Sequence, residues 1–225
     1  MASVQTPVTL AEVSNRVHRF TISERGVHWL TAAAFFSLLV SGLVVGRRGT
    51  FHTIMYACHL GSAGVLVGGV ALIVLAGNRR ALARTAHELH TFDTEDRQWL
   101  ATAHSRILAG APEPPAGRFN AGQKVNFVLV CALFAALFIT GGDTIIAGTH
   151  HNLIFAGHKL ATIGVCVLVV GHLYMALVNR GTRPGLRGML TGEVDREWAQ
   201  QHYPRWEPER SPANEPPLSG SASES

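Results

Sequence analysis

The chain has 225 residues and a formal net charge of +4, with 47% hydrophobic residues, only 15% charged residues and a mean hydropathy of +0.19. Soluble domains carry about 25% charged residues. Composition and length therefore exclude an ordinary soluble enzyme and leave room for one domain.

Residues 1–26 form a polar N-terminal tail. Val27–Gly46 then runs for twenty residues without Asp, Glu, Lys or Arg. About 20 apolar residues cross a bilayer core, so this block is predicted to be a membrane helix. It is too long and begins too late for a signal-peptide h-region, and is read as retained. Phe51–Gly77, twenty-seven residues free of charge, is the second predicted span. The loop 78–124 contains "NRRALARTAHELHTFDTEDRQWLATAHSRIL", whose helical periodicity predicts one or two amphipathic helices on the membrane face. "AGAPEPPAGRFNAG" follows and breaks helix with three prolines and three glycines. Val125–Gly142 and Asn152–Val178 are the third and fourth spans, and the fourth carries one lysine, Lys159. Helices buried in a soluble core would keep a polar face. The expected fold is thus an all-α membrane protein, a four-transmembrane-helix bundle over 27–178. A polar segment, 179–206, follows it, and the Pro/Ser/Glu-rich tail 207–225 is expected to be disordered.

Positive charge assigns the sides. The N-terminal tail has Arg16, Arg19 and Arg25; the long loop has Arg79, Arg80, Arg84, Arg97, Arg106, Arg118 and Lys124; the C-terminal segment has Arg180, Arg183, Arg187, Arg196, Arg205 and Arg210. The loop Asp143–His151 has neither Lys nor Arg. Both termini and the long loop are expected in the cytoplasm of a bacterial inner membrane, with Arg47 and Arg48 counting against it. The pI of 9.3 needs no nucleic-acid partner. Cys58, Cys131 and Cys166 all fall in spans without a CxxC, which argues against an iron–sulfur cluster, a structural metal or covalent haem.

Of twelve histidines, those at 87, 90, 104 and 202 lie in polar segments and are expected at the surface; His52, His150 and His151 start spans. His28, His59, His158 and His172 are embedded, and ionisable residues in a membrane mark function. At 1.5 Å per residue, His59 lies roughly 12 Å and His158 roughly 9 Å from the same face, with His172 about 21 Å deeper. His59 and His158 therefore share one level, and His28 and His172 the other. His158 and His172 are only about 40° apart around their helix. One imidazole from each of two helices at each of two levels suits bis-histidine haem. Gly157, Ala161, Gly164 and Gly171 beside the fourth-span histidines, and Gly61, Gly64 and Gly68 beside His59, would give a porphyrin room or pack helices closely. Arg25, Arg47, Arg48, Lys159 and Arg180 are candidate propionate partners or interfacial anchors. Zinc would want further ligands. A proton-coupled transporter would want an intramembrane carboxylate, and these spans have none.

"RFTISERGVHWLTAAAFFSLLVSGL", "RFNAGQK" and "HLYMAL...GTRPGLRGMLTGEVDREWAQQHYPRW" resemble the cytochrome b (gamma) subunit of respiratory, membrane-bound formate dehydrogenases, over roughly Arg16 to Trp206. The chain departs from it with Tyr203 in "HYP" and with no proline after His59. The embedded histidines are shared more widely with cytochrome b subunits of nickel–iron hydrogenases and thiosulfate reductases. The resemblance implies two haem b groups, with His59 and His158 as axial ligands of the periplasmic-side haem and His28 and His172 of the cytoplasmic-side haem. It implies a quinone, menaquinone or ubiquinone, beside the inner haem, with Asn120 and Gly122 among its polar contacts. Read from the sequence itself, Asn120 is a helix cap. The implied partners are an iron–sulfur (beta) subunit, which donates electrons, and a molybdenum- or tungsten-containing formate dehydrogenase (alpha) subunit, which holds the formate chemistry. The irons should stand roughly 20 Å apart. The alternatives are the same electron carrier with another donor, or a non-redox membrane anchor or metal transporter.

Overall fold

The computed structural model describes residues 15–45, 50–104, 113–147 and 152–208. Its elements in chain order are β1 (Arg16–His18), α1 (Ile22–Val45), α2 (Thr50–Ala76), α3 (Arg79–His90), α4 (Thr94–Ala101), α5 (Ala121–Ala147), α6 (Asn152–Leu173), α7 (Gly185–Thr191), β2 (Glu193–Asp195) and α8 (Arg196–His202). Among the described residues, helices α1, α2, α5 and α6 are the four of membrane-crossing length and apolarity. They pack as two hairpins, α1 on α2 and α5 on α6. Their flanks expose large apolar side chains, Ile139 at 72% and Leu160 at 70% among them, as a lipid-facing surface requires.

Both hairpins open earlier than the apolar blocks predict, because a capping box winds a polar first turn. Thr21 and Glu24 form one: the Thr21 amide donates to the Glu24 carboxylate at 2.6 Å, and the Glu24 amide donates to Thr21 Oγ1 at 3.4 Å. Asn120 and Gln123 form the other, with amide-to-side-chain bonds of 3.0 and 2.9 Å. Helix α5 also runs past Gly142, so Asp143 lies inside the third membrane-length helix, and Glu24 and Lys124 lie in first turns. The expectation of carboxylate-free spans is corrected accordingly. Helix α6 ends in a π-helical turn, Tyr174–Val178, two residues beyond His172.

Among the described residues of the amphipathic loop stand two helices, α3 and α4. Asp93 separates them, its side chain accepting from the Asp96 amide at 2.9 Å. The N-terminal tail is not free: β1 pairs antiparallel with β2, Val17 facing Val194. These three-residue strands carry too little alternation to be seen in sequence. They seed a small core outside the bundle, made of Val17, Val194, Trp198, Ala199 and Tyr203. Gly192, at φ 93°, closes α7 by a left-handed turn, and a Cβ there would stand 2.8 Å from the Phe20 carbonyl oxygen. Arg47, Arg48, Arg106, His150, His151 and the tail from 209 lie outside the described residues.

Candidate functional site

The four embedded histidines meet in two pairs. The His28 ring on α1 faces the His172 ring on α6, with centroids 5.9 Å apart and planes at 58°. The His59 ring on α2 faces the His158 ring on α6 at 6.4 Å and 61°. A metal–imidazole nitrogen bond is about 2 Å. Two opposed bonds put ring centroids roughly 6 Å apart, so both pairs fit one metal between them. Among the described residues no three His, Cys, Asp or Glu side chains gather into a larger donor set. Two nitrogens per level suit axial ligation of a macrocycle that brings its own equatorial donors, and do not suit a protein-built zinc site.

At one level the ring tautomer is fixed. Ser41 Oγ donates to the Ser37 carbonyl at 2.6 Å, leaving its lone pairs to accept from His59 Nδ1 at 3.1 Å; the Leu38 carbonyl lies 3.0 Å from the same nitrogen. Thr140 Oγ1 donates to the Ala136 carbonyl at 2.7 Å and accepts from His158 Nδ1 at 2.9 Å. With the proton on Nδ1, Nε2 presents its lone pair. The following residues are glycines, Gly42 and Gly141; a Cβ on them would stand 3.2 and 3.5 Å from Cε1 of His59 and of His158. Each imidazole therefore lies against a bare stretch of the neighbouring helix. Sequence reading missed these hydroxyls and glycines. The signal was present: a Ser-Gly and a Thr-Gly stand ahead of their histidines, each hydroxyl residue 18 positions before the ring it holds.

The expected glycine stripes divide. Gly61, Gly64, Gly68 and Gly171 face open space, whereas Gly157 and Gly164 pack on Thr140 and Leu133. Asn120 and Gly122 sit together at the start of α5, where a Cβ on Gly122 would meet Trp99 at 3.4 Å and Asn120 Oδ1 at 3.5 Å. Among the candidate cations, Arg25 is committed to the Met189 and Leu190 carbonyls, and Lys159 lies over the Phe155 ring at 4.8 Å. Arg180 lines a cleft of about 500 Å³ with Arg183 and Arg187.

At the loop end of the bundle, Arg118 is buried and ion-paired to Glu24 at 2.5 Å and Glu88 at 3.0 Å. Arg19 is buried beside it, its guanidinium 3.9 Å from the Tyr203 ring centroid. Burial lowers the Arg19 pKa below its ordinary value, Tyr203 opposes this, and the Arg118 cation adds to it. Lys124 and Asp96 form a second buried ion pair, holding α5 to α4.

Two formate dehydrogenase subunits of Escherichia coli strain K12 are similar to this chain. The cytochrome b556(fdo) subunit is 28% identical over 199 residues, 84% of this chain and 90% of its own. The nitrate-inducible cytochrome b556(Fdn) subunit is 27% identical over 210 residues, 86% of this chain and 91% of its own. A Shigella flexneri cytochrome b556(Fdn) subunit matches to the same extent. The family model described as prokaryotic cytochrome b561 matches residues 19–192, a stretch that takes in all four facing histidines, and the chain belongs to that family.

Proposed function

We propose that this chain is the di-haem cytochrome b subunit of a formate dehydrogenase complex, passing electrons from an iron–sulfur subunit across a bacterial inner membrane to quinone. The observation that carries this reading is the pair of facing imidazole sets, each spaced for one metal and each drawn from two helices. Haem b, when bound, supplies reversible one-electron storage. His59 and His158 would hold one group and His28 and His172 the other. The hydroxyls of Ser41 and Thr140 keep the first pair's Nε2 atoms free to ligate. The arginine-rich loop, α3, α4 and the α7–α8 segment form the cytoplasmic side by the positive-inside rule, so His28 and His172 make the inner level.

Quinone is placed at that inner level. Asn120 spends Oδ1 on its cap, and its Nδ2 has no protein partner among the described residues, which leaves a donor for a quinone carbonyl. Gly122 lets the Trp99 ring pack close beside Asn120. On this reading, which the likeness to formate dehydrogenase cytochrome b556 subunits supports, formate oxidation belongs to a separate molybdenum- or tungsten-containing subunit.

A reduced-minus-oxidised spectrum with haem quantification on the detergent-purified chain tests the reading. Two b-type haems per chain are expected, and a folded chain made with ample haem that holds none overturns it. In the complex, His172→Ala should lose one haem and quinone reduction while the other haem stays. Retention of both overturns the ligand assignment.

A further inference from the structure

The two hairpins repeat one another at a fixed offset. Arg19-Phe20-Thr21 returns as Arg118-Phe119-Asn120, each triplet ending on the cap of its hairpin. Equivalent residues also touch. Arg19 donates to the Arg118 carbonyl at 2.8 Å and Arg118 donates to the Arg19 carbonyl at 2.6 Å, a reciprocal exchange between positions 99 apart. Phe20 meets Phe119 at 6.1 Å, Phe35 meets Phe134 at 6.4 Å, and His59 meets His158 at 6.4 Å, all at the same offset. Residues that contact their own equivalents lie on a two-fold axis. The axis here runs up the bundle from the arginine pair, between the hairpins, to the His59/His158 level, as in membrane folds built from parallel repeats.

The hydrogen bonds at that level obey the same symmetry. Ser41 and Thr140 are equivalent, as are their carbonyl acceptors on Ser37 and Ala136 and the Leu38 and Leu137 carbonyls nearby. The other level breaks it: the equivalents of His28 and His172 are Phe127 and Ile73. No hydrogen bond reaches the His28 or His172 rings from any described residue; His28 has instead the Trp29 ring edge at 5.2 Å.

We propose that Ser41 and Thr140 are paired positioning residues that set the His59/His158 haem apart from the other, giving it the lower midpoint potential. This rests on the haem reading above. An imidazole that donates its Nδ1 proton is the more basic ligand, and a more basic ligand favours the more highly charged, oxidised iron. Both ligands of the axial level have this support and neither ligand of the other level does. Electrons entering at the axial level then move downhill toward the loop end of the bundle.

The test is a redox titration of the haem-loaded, purified chain carrying Ser41→Ala, Thr140→Val or both. One of the two midpoint waves should move up in each single variant and further in the double, while the other wave stays. Ser41→Thr and Thr140→Ser should restore the wild-type value, which a merely structural role would not require. Full haem content with both waves unmoved, or both moving together, overturns the proposal and leaves the haem reading standing. A wild-type chain without haem overturns both.

Discussion

At the scale of single residues, the costly groups are the buried charges at the loop end of the bundle. Glu24 is 6% exposed and Arg118 8%, and Thr85, Glu88 and the Arg19 carbonyl complete their network. Removing one partner of such a pair leaves an uncompensated charge, at a cost of about 3–5 kcal/mol. Arg118→Met is therefore expected to lower the thermal unfolding temperature sharply. Adding Glu24→Gln to it should recover part of the loss, because the orphaned carboxylate goes with it. An additive double variant would mean that the two side chains act separately. The network ties the first turn of α1 to α3 and to the segment that leads into α5, so both hairpins depend on it.

At the scale of elements, α4 is held by charge rather than by apolar burial. Asp93 caps it and pairs with Arg205 at 2.7 Å, while Glu95 takes the other Arg205 nitrogen at 2.9 Å. Partial burial would raise the Asp93 pKa, but the Asp96 amide and Arg205 outweigh it and hold the carboxyl at about 2. An unfolded aspartate titrates near 3.9. The folded form binds the proton less readily, so this contribution is whole above about pH 4 and is lost as pH falls through about 2. Pepsin cleavage within Thr94–Ala101 should thus rise over that window, and Asp93→Asn should flatten the rise. The four long helices were legible in sequence because an apolar block of span length has few other fates. The pairing of the histidines by depth was legible too, since helical rise is constant and puts His59 level with His158. What stayed hidden was local and polar. Capping turns such as Thr21–Glu24 extend helices into polar sequence, three-residue strands leave no period, and the serine and threonine hydroxyls look like any others until a neighbouring helix brings a ring to them.

At the scale of the molecule, the two halves are complementary rather than self-sufficient. His28 and His59 lie in the first, His158 and His172 in the second, and each level takes one ring from each. Membrane helices of this apolarity insert before they associate. Co-expressed as separate pieces, 1–108 and 109–225, the halves are expected to copurify and to hold haem at both levels, while neither alone rebuilds the His28/His172 level, which takes one ring from each half. Two spectrally distinct haems in an isolated half would show that the second level can be built without its unlike partner.

The reciprocal arginine contact and the rings stacked above it make the interface between hairpins isologous, the kind that identical subunits form. A homodimer of the first hairpin alone would bring two copies of His59 together at its centre, each with its own Ser41. It would have no counterpart of the His28/His172 level, because that level needs two unlike partners. The axial level is thus one that two identical hairpins could build, whereas the other level requires two hairpins that differ.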